Sequence, residues 1–281
     1  MGNNSIRSNL SKDDIISDIV LSMGADIYRE NIYILLEGED DISFLHPYVS
    51  DNVLLYESYD GKNGVEAIVS ERFADNDRVI GIRDKDYQIR PISEKIFYYD
   101  YGCMEMMLVS NDDVFDNLCF EYYRGNTTSK QLKKHILEQL KYLSSVRMCN
   151  EIEQWGIALK GVSVNQAWDS TQLVMNNDII LKKINLMNNN FITGEVLKKI
   201  EEEYSKHWSD DNYYFNTQGH DFFTLFATVC NQYKKKGIKY TEVQASARCI
   251  FRWSDLLKTE MYCRIKEYSQ VRNLSILCVV A

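Results

Sequence analysis

Four short runs, apolar except for a leading charge in two of them, punctuate the first hundred residues. They are Ile32-Tyr33-Ile34-Leu35-Leu36, Val53-Leu54-Leu55-Tyr56, Arg78-Val79-Ile80-Gly81-Ile82 and Lys95-Ile96-Phe97-Tyr98-Tyr99. Such runs, short and without polar alternation, predict strands buried on both faces. Helical patterns separate them. Ser11 offers an N-cap before Ile15, Ile16, Ile19, Val20 and Met23, a stripe that Gly24 ends. Ile42, Phe44 and Leu45 open a second helix, and Val65, Ala67, Ile68 and Val69 a third. Strand and helix alternating in this way predict an α/β fold on a parallel sheet flanked by helices. Residues 1–10 are polar and read as loose.

After about residue 111 the texture changes. Leu132, Ile136, Leu140 and Leu143 form a helical stripe, as do Val196, Leu197, Ile200 and Tyr204. The stretches 218–235, 242–253 and 255–268 also predict helices. The chain therefore divides into an N-terminal helix and α/β domain, 1–110, and a mainly helical region, 111–281. No internal repeat stands out, and Asn188-Asn189-Asn190 is short enough for a loop. The nearly apolar tail Leu274–Ala281 needs burial, as a last strand or in a partner interface.

Composition narrows the class. With 45% hydrophobic and 26% charged residues and only 2 prolines, the chain is neither disordered nor fibrous. Its net charge of −9 is wrong for a protein that binds nucleic acid over its whole surface. Any such contact has to come from a local basic patch, a bound metal or a partner. The 7 cysteines contain no CxxC pair and only 4 histidines accompany them, which argues against disulfides or a zinc module and for a reducing compartment. With no signal-peptide pattern and no long apolar stretch, a cytoplasmic protein without membrane contact is expected.

The placement of acids carries the most information. Glu37 ends the first run and Asp41 lies one helical turn later; Asp84 and Asp86 end the third; Glu105 follows the fourth. In a parallel sheet these are the carboxyl ends of strands, where open α/β sheets bind ligands. Crowded carboxylates repel one another, and a divalent cation relieves this; hard oxygen ligands point to Mg²⁺ or Mn²⁺. Taken singly, each acid also fits a helix cap or a turn, and Glu39 and Asp40 read as first-turn acids. Lys62, in Asp60-Gly61-Lys62-Asn63-Gly64, reads either as a phosphate contact or as a solvated turn lysine. Lys85 balances the acids on either side of it. Lys234-Lys235-Lys236, near Tyr233 and Tyr240, reads as a nucleic-acid backbone patch or as a helix end before Gly237. Met104, Met106 and Met107 read as core.

Leu36-Glu37-Gly38-Glu39-Asp40-Asp41 followed by Asp84-Lys85-Asp86 resembles the TOPRIM signature, a strand-end Glu-Gly and then Asp-x-Asp. Tyr101-Gly102-Cys103-Met104-Glu105-Met106-Met107-Leu108 resembles the Glu-bearing segment of OLD-family TOPRIM nucleases, and Gly61-Lys62-Asn63-Gly64 and Gly219-His220-Asp221-Phe222-Phe223 fit that branch. More narrowly, the chain is similar to stand-alone TOPRIM effectors encoded beside an ABC-type ATPase in bacterial anti-phage defence, the PARIS systems among them. The resemblance covers roughly residues 30–110 and a point near 220. It implies a TOPRIM-like fold and two Mg²⁺ (or Mn²⁺) ions. Glu37, Asp84 and Asp86 would hold or border one ion, and Asp41 and Glu105 the second. Glu37 can alternatively serve as general base. OLD-type nucleases carry a late Gly-Lys whose amine faces the scissile phosphate; here His220 stands at that position. An imidazolium can stabilise an oxyanion or protonate a leaving group, but it titrates near neutrality.

The expected function is thus a Mg²⁺-dependent endonuclease acting on RNA, with tRNA a candidate, or on DNA. It would act as a toxin in abortive infection, held and released by an ATPase partner, and a homodimer stays open. The alternative is a catalytically inactive TOPRIM module serving as binding or sensor subunit of an ATPase complex. A receiver-like phosphoacceptor fits Asp-x-Asp and Glu105 poorly, and a glycosyltransferase leaves Glu37-Gly38 unexplained.

Overall fold

The computed structural model describes residues 11–88, 92–233 and 236–278. The chain forms two compact units: Met1–Asp100 together with Trp253–Ala281, and Tyr101–Arg252. The sequence division at 110/111 falls ten residues later, and it assigns to the helical region a C-terminal segment that belongs to the first unit. Hydrophobic periodicity identifies that segment as helical but not which sheet it covers.

The first unit is α/β. Strands β1 (Ile32–Leu36), β2 (Val53–Glu57), β3 (Val79–Arg83) and β4 (Ile96–Tyr98) are all parallel, in the order β2-β1-β3-β4. β1, β3 and β4 are buried along their whole length, as their apolar runs require, while the edge strand β2 is half exposed. From β1 the chain steps out to β2 and then crosses back to β3, so the winding reverses between β1 and β3. The carboxyl ends of that pair form a topological switch point.

Helix α1 (Lys12–Ala25) starts on Ser11, whose hydroxyl accepts from Asp14 N–H while the Asp14 carboxylate accepts from Ser11 N–H. Helix α2 is Glu39–Leu45, and α3, Gly61–Glu66, widens into a π-helical stretch, Ala67–Arg72. Ile15 and Ile19 of α1 share one core with Tyr33, Leu35, Val65, Ile68, Val69 and Val79. The C-terminal helix Glu260–Arg272 lies on β4, where Tyr268 meets Phe97 edge to face at 5.4 Å. Asp100 anchors that helix by accepting from Glu260 N–H and Met261 N–H, both at 2.9 Å. The apolar tail is a single antiparallel bridge, Val49 with Leu277, flanked by Ser50 N–H to Ile276 O and Cys278 N–H to Tyr48 O. Val279–Ala281 of the tail lie outside the described residues.

The second unit is helical: α4 (Met104–Ser110), α5 (Asp112–Tyr122), α6 (Ser129–Ile152), α7 (Val164–Ala167), α8 (Asn177–Met187), α9 (Gly194–Ser205), α10 (Asp210–Asn216), α11 (Gly219–Asn231) and α12 (Tyr240–Ile250). A short antiparallel pair, Trp168–Asp169 with Val174–Met175, interrupts them. Met104, Met106 and Met107 are buried, as expected of core. Phe115 of α5 meets both Phe222 and Phe226 of α11 edge to face.

One device recurs three times in this unit. Asn150, Asn185 and Asn231, near the ends of α6, α8 and α11, each clamp the peptide of an isoleucine seven residues on. The side-chain oxygen takes the N–H of Ile157, Ile192 or Ile238 at 2.7–2.8 Å, and the amide donates to the same residue's carbonyl at 3.0–3.2 Å. The backbone donor and acceptor of one loop residue are thereby satisfied where a helix stops. This Asn-x6-Ile pattern is a structural repeat that the residue pattern alone does not show, because only two positions recur. It also ends α11 at Asn231, short of the 235 expected from the sequence.

Candidate functional site

β1 ends at Leu36 and delivers Glu37; β3 ends at Arg83 and delivers Asp84. The two exits are adjacent, and Asp84 N–H donates to Glu37 Oε1 at 2.8 Å. Helix α3 begins beside them. Gly61 takes φ 48°, a left-handed conformation that a β-carbon disfavours, and such a carbon would sit 3.6 Å from Glu37 Oε2. The next residue, Lys62, reaches Asp86 Oδ2 at 2.8 Å. Asp86 is itself left-handed, φ 49°, which an aspartate accepts more readily than most side chains.

Arg83 lies beneath this group and is fully buried. Its Nε donates to Asp84 O at 2.9 Å and stands 3.9 Å from Glu37 Oε1. One terminal nitrogen is bonded to Glu66, and the other lies 3.7 Å from Asp86 Oδ2, too long for a hydrogen bond. The guanidinium also lies over the Tyr98 ring, 5.6 Å from its centre. The three carboxylates around it keep side-chain exposures of 24%, 29% and 22% (Glu37, Glu66, Asp86), so the arginine is sealed while its partners remain open to solvent.

Burial pushes the Glu37 carboxyl above its usual range, against the opposing pull of the Asp84 N–H and the Arg83 charge. Tyr99, wholly buried, is pushed well up by burial first and then by the negative charge of Asp41, with smaller contributions from Asp84 and Glu37. Asp41 also accepts from Gly38 N–H at 3.1 Å, so it caps the start of α2. Glu39 and Asp40 are exposed in the first turn of α2, as expected for acids at the positive end of a helix dipole.

The second unit holds its own constellation. Glu105 is in the first turn of α4, and Gln244 of α12 donates to its Oε1 at 3.2 Å. Gly219 opens α11 against Glu105: a β-carbon on residue 219 would fall 2.3 Å from Glu105 Cβ. Only glycine permits that approach. His220 follows, exposed, with its ring edge-on to Tyr240 at 4.6 Å and Nδ1 3.8 Å from Asp221 Oδ1. Asp221 is buried and held in a fork by Arg147, at 2.8 Å to Nε and 3.2 Å to the terminal nitrogen.

Of the residues singled out from sequence, Glu37, Lys62, Asp84 and Asp86 come together in the first unit, and the charges of Asp41, Asp84 and Glu37 all act on the buried Tyr99 hydroxyl. Glu105 and His220 stand at neighbouring helix starts in the second unit. Lys236 is exposed; Lys234 and Lys235 lie outside the described residues. The sequence reasoning missed Arg83, Glu66, Tyr99, Gln244 and the Arg147–Asp221 pair. For Arg83 a signal existed: a charged residue directly after a fully apolar strand and directly before Asp84.

Among the described residues no helix is long and apolar enough to cross a membrane, and none of the seven cysteines is in a disulfide. Compared with models of known protein families and with curated proteins, the chain matches none.

Proposed function

We propose that the chain is a metal-dependent nuclease of the TOPRIM type, in its OLD-like branch, hydrolysing phosphodiester bonds in RNA, with tRNA a candidate, or in DNA. One observation carries the reading. Two carboxylate-bearing exits, β1 with Glu37 and β3 with Asp84, meet at the switch point of a parallel sheet and are joined by a 2.8 Å hydrogen bond. The donor chemistry suits a hard divalent ion, since the groups offered are partly exposed carboxylate oxygens. Glu37 and Asp84 would hold Mg²⁺ or Mn²⁺, with Asp86 at its border. When bound, such an ion generates a reactive water near neutral pH and neutralises charge on the leaving oxygen.

The chain's own residues divide the remaining work. Alternatively to holding the ion, Glu37, whose proton affinity burial raises in the metal-free chain, can accept a proton at its Oε atoms. Lys62 offers a cation to a phosphate oxygen. Glu105 and His220 enter only through the resemblance, and replacing either by alanine is expected to slow cleavage. The excess of acid over base disfavours encounter with bulk nucleic acid and would restrain the chain until a partner releases it, a partner that the resemblance makes an ABC-type ATPase in anti-phage defence.

A second reading, an inactive binding or sensor subunit, also has an observation in its favour. Lys62 and Arg83 already contact Asp86 and Glu37, as would be seen in a site that never takes a metal. Incubation of the purified chain with plasmid DNA and total RNA in Mg²⁺, with and without the partner ATPase, separates the two. The nuclease reading expects cleavage that EDTA abolishes and that Glu37→Gln and Asp84→Asn each lower about 10²-fold or more. Intact nucleic acid in every arm, with a stable ATPase complex, would leave the sensor reading standing.

A further inference from the structure

We infer that the loop between α11 and α12, with the adjoining end of α5, is a contact surface for single-stranded nucleic acid. This deepens the nuclease reading above and rests on it for the class of ligand. Helix α11 ends at Asn231, and the Asn231 clamp on Ile238 closes the loop 232–237. No basic residue stands in the last turn of α11, so the helix dipole does not account for the lysines that follow. Nor does the clamp. The same device closes 151–156 and 186–191, and neither of those loops holds a lysine or an arginine. The third loop alone is basic. From 230 to 240 the sequence has Lys234, Lys235, Lys236 and Lys239 and no acid, in a chain of net charge −9.

Aromatic rings accompany this charge. Tyr233, 45% exposed, stands edge-on to Tyr123 at the end of α5, with 5.6 Å between ring centres. One turn back on α5, Phe120 is 84% exposed, and Arg124 donates to its carbonyl at 2.8 Å. Lys236 and Lys239 are exposed. Beyond them Tyr240 opens α12, and its ring meets His220 edge-on at 4.6 Å, so the surface runs on to the start of α11. Exposed rings beside exposed cations suit unstacked bases and their phosphates. A duplex offers its phosphates but keeps its base faces stacked away from such rings.

Fluorescence anisotropy on the whole chain in EDTA tests this, with labelled oligo-U and oligo-dT, the matching duplexes, and polyglutamate as competitor. Tighter binding of single strands than of duplex is expected. Tyr233→Ala and Phe120→Ala are each expected to weaken it about tenfold, and Tyr233→Phe to bind like wild type. Lys236→Ala combined with Lys239→Ala should reduce the salt slope by about 0.7 for each lysine removed. Lys198→Ala, at an exposed lysine of α9, is the control expected to bind like wild type, and a melting scan checks that every variant is folded. Preference for duplex, equally tight binding of polyglutamate, or wild-type affinity in both Tyr233→Ala and the double lysine variant would each overturn the inference. Cleavage in Mg²⁺ tells the two failures apart. Equal cleavage by wild type and Tyr233→Ala would strike this surface and leave the nuclease reading standing, whereas a wild-type chain that neither binds nor cleaves nucleic acid would strike both.

Discussion

Each unit holds an arginine against carboxylates, Arg83 fully buried and Arg147 half-buried, and the two are used in opposite ways. Arg147, in the helical unit, spends its fork on one buried carboxylate, Asp221, and the pair is closed. Arg83, in the α/β unit, is spread over Glu37, Glu66 and Asp86, with one nitrogen left without a hydrogen bond. A saturated pair fixes how helices pack. An arginine shared among partly exposed carboxylates instead supplies positive charge to a rim that remains accessible. The contrast teaches that burial of charge alone does not mark a site. The mark is incomplete satisfaction beside groups that solvent can reach.

Asp221→Ala removes a buried partner and leaves Arg147 unpaired, so a loss of about 3–5 kcal/mol in urea unfolding is expected. Arg83→Met deletes a cation whose partners can hydrate and, for Asp86, still have Lys62; about 1.5–3 kcal/mol is expected. A loss as large as that of Asp221→Ala would make Arg83 a structural strut and erase the distinction. Asn185→Ala opens one of the three clamps and exposes both groups of the Ile192 peptide; about 1–2 kcal/mol is expected, with a melting scan as the check.

The smallest effect has the opposite sign. A carboxyl whose folded pKa is raised is easier to ionise in the unfolded chain, so its ionisation weakens the fold as pH rises. Glu37→Gln keeps an acceptor for Asp84 N–H and removes that ionisation. In metal-free buffer the variant is expected to melt higher than wild type at pH 7. The gain shrinks as pH falls toward 4.5, the ordinary value for the group, where wild-type Glu37 is protonated in the fold. A gain independent of pH would place its cause elsewhere.

Much of the α/β unit was legible in the sequence. Its strands coincide with the four apolar runs to within a residue or two, because strands buried on both faces have no polar positions. The convergence of Glu37, Asp84 and Lys62 follows from parallel topology, which brings strand ends together whatever the separation in sequence. Arg83 was not legible as a buried residue: arginine at a strand end normally reads as solvated, and only its three carboxylate neighbours, drawn from two other segments and the turn after β3, explain its burial. The left-handed turn at Asp86 was hidden too, since Asp-x-Asp reads the same whether extended or bent. In the helical unit, periodicity located the helices, but the asparagine clamps and the glycine notch at Gly219 depend on contacts that periodicity does not encode.

A divalent cation at the β1/β3 rim underlies the proposed chemistry. Calorimetric titration of the wild-type chain, Glu37→Gln and Asp221→Asn with Mg²⁺, repeated with Mn²⁺, tests it most directly. Saturable binding by wild type is expected, with a loss of about tenfold or more in affinity for Glu37→Gln and wild-type affinity for a folded Asp221→Asn. Equal heats for wild type and Glu37→Gln would contradict it.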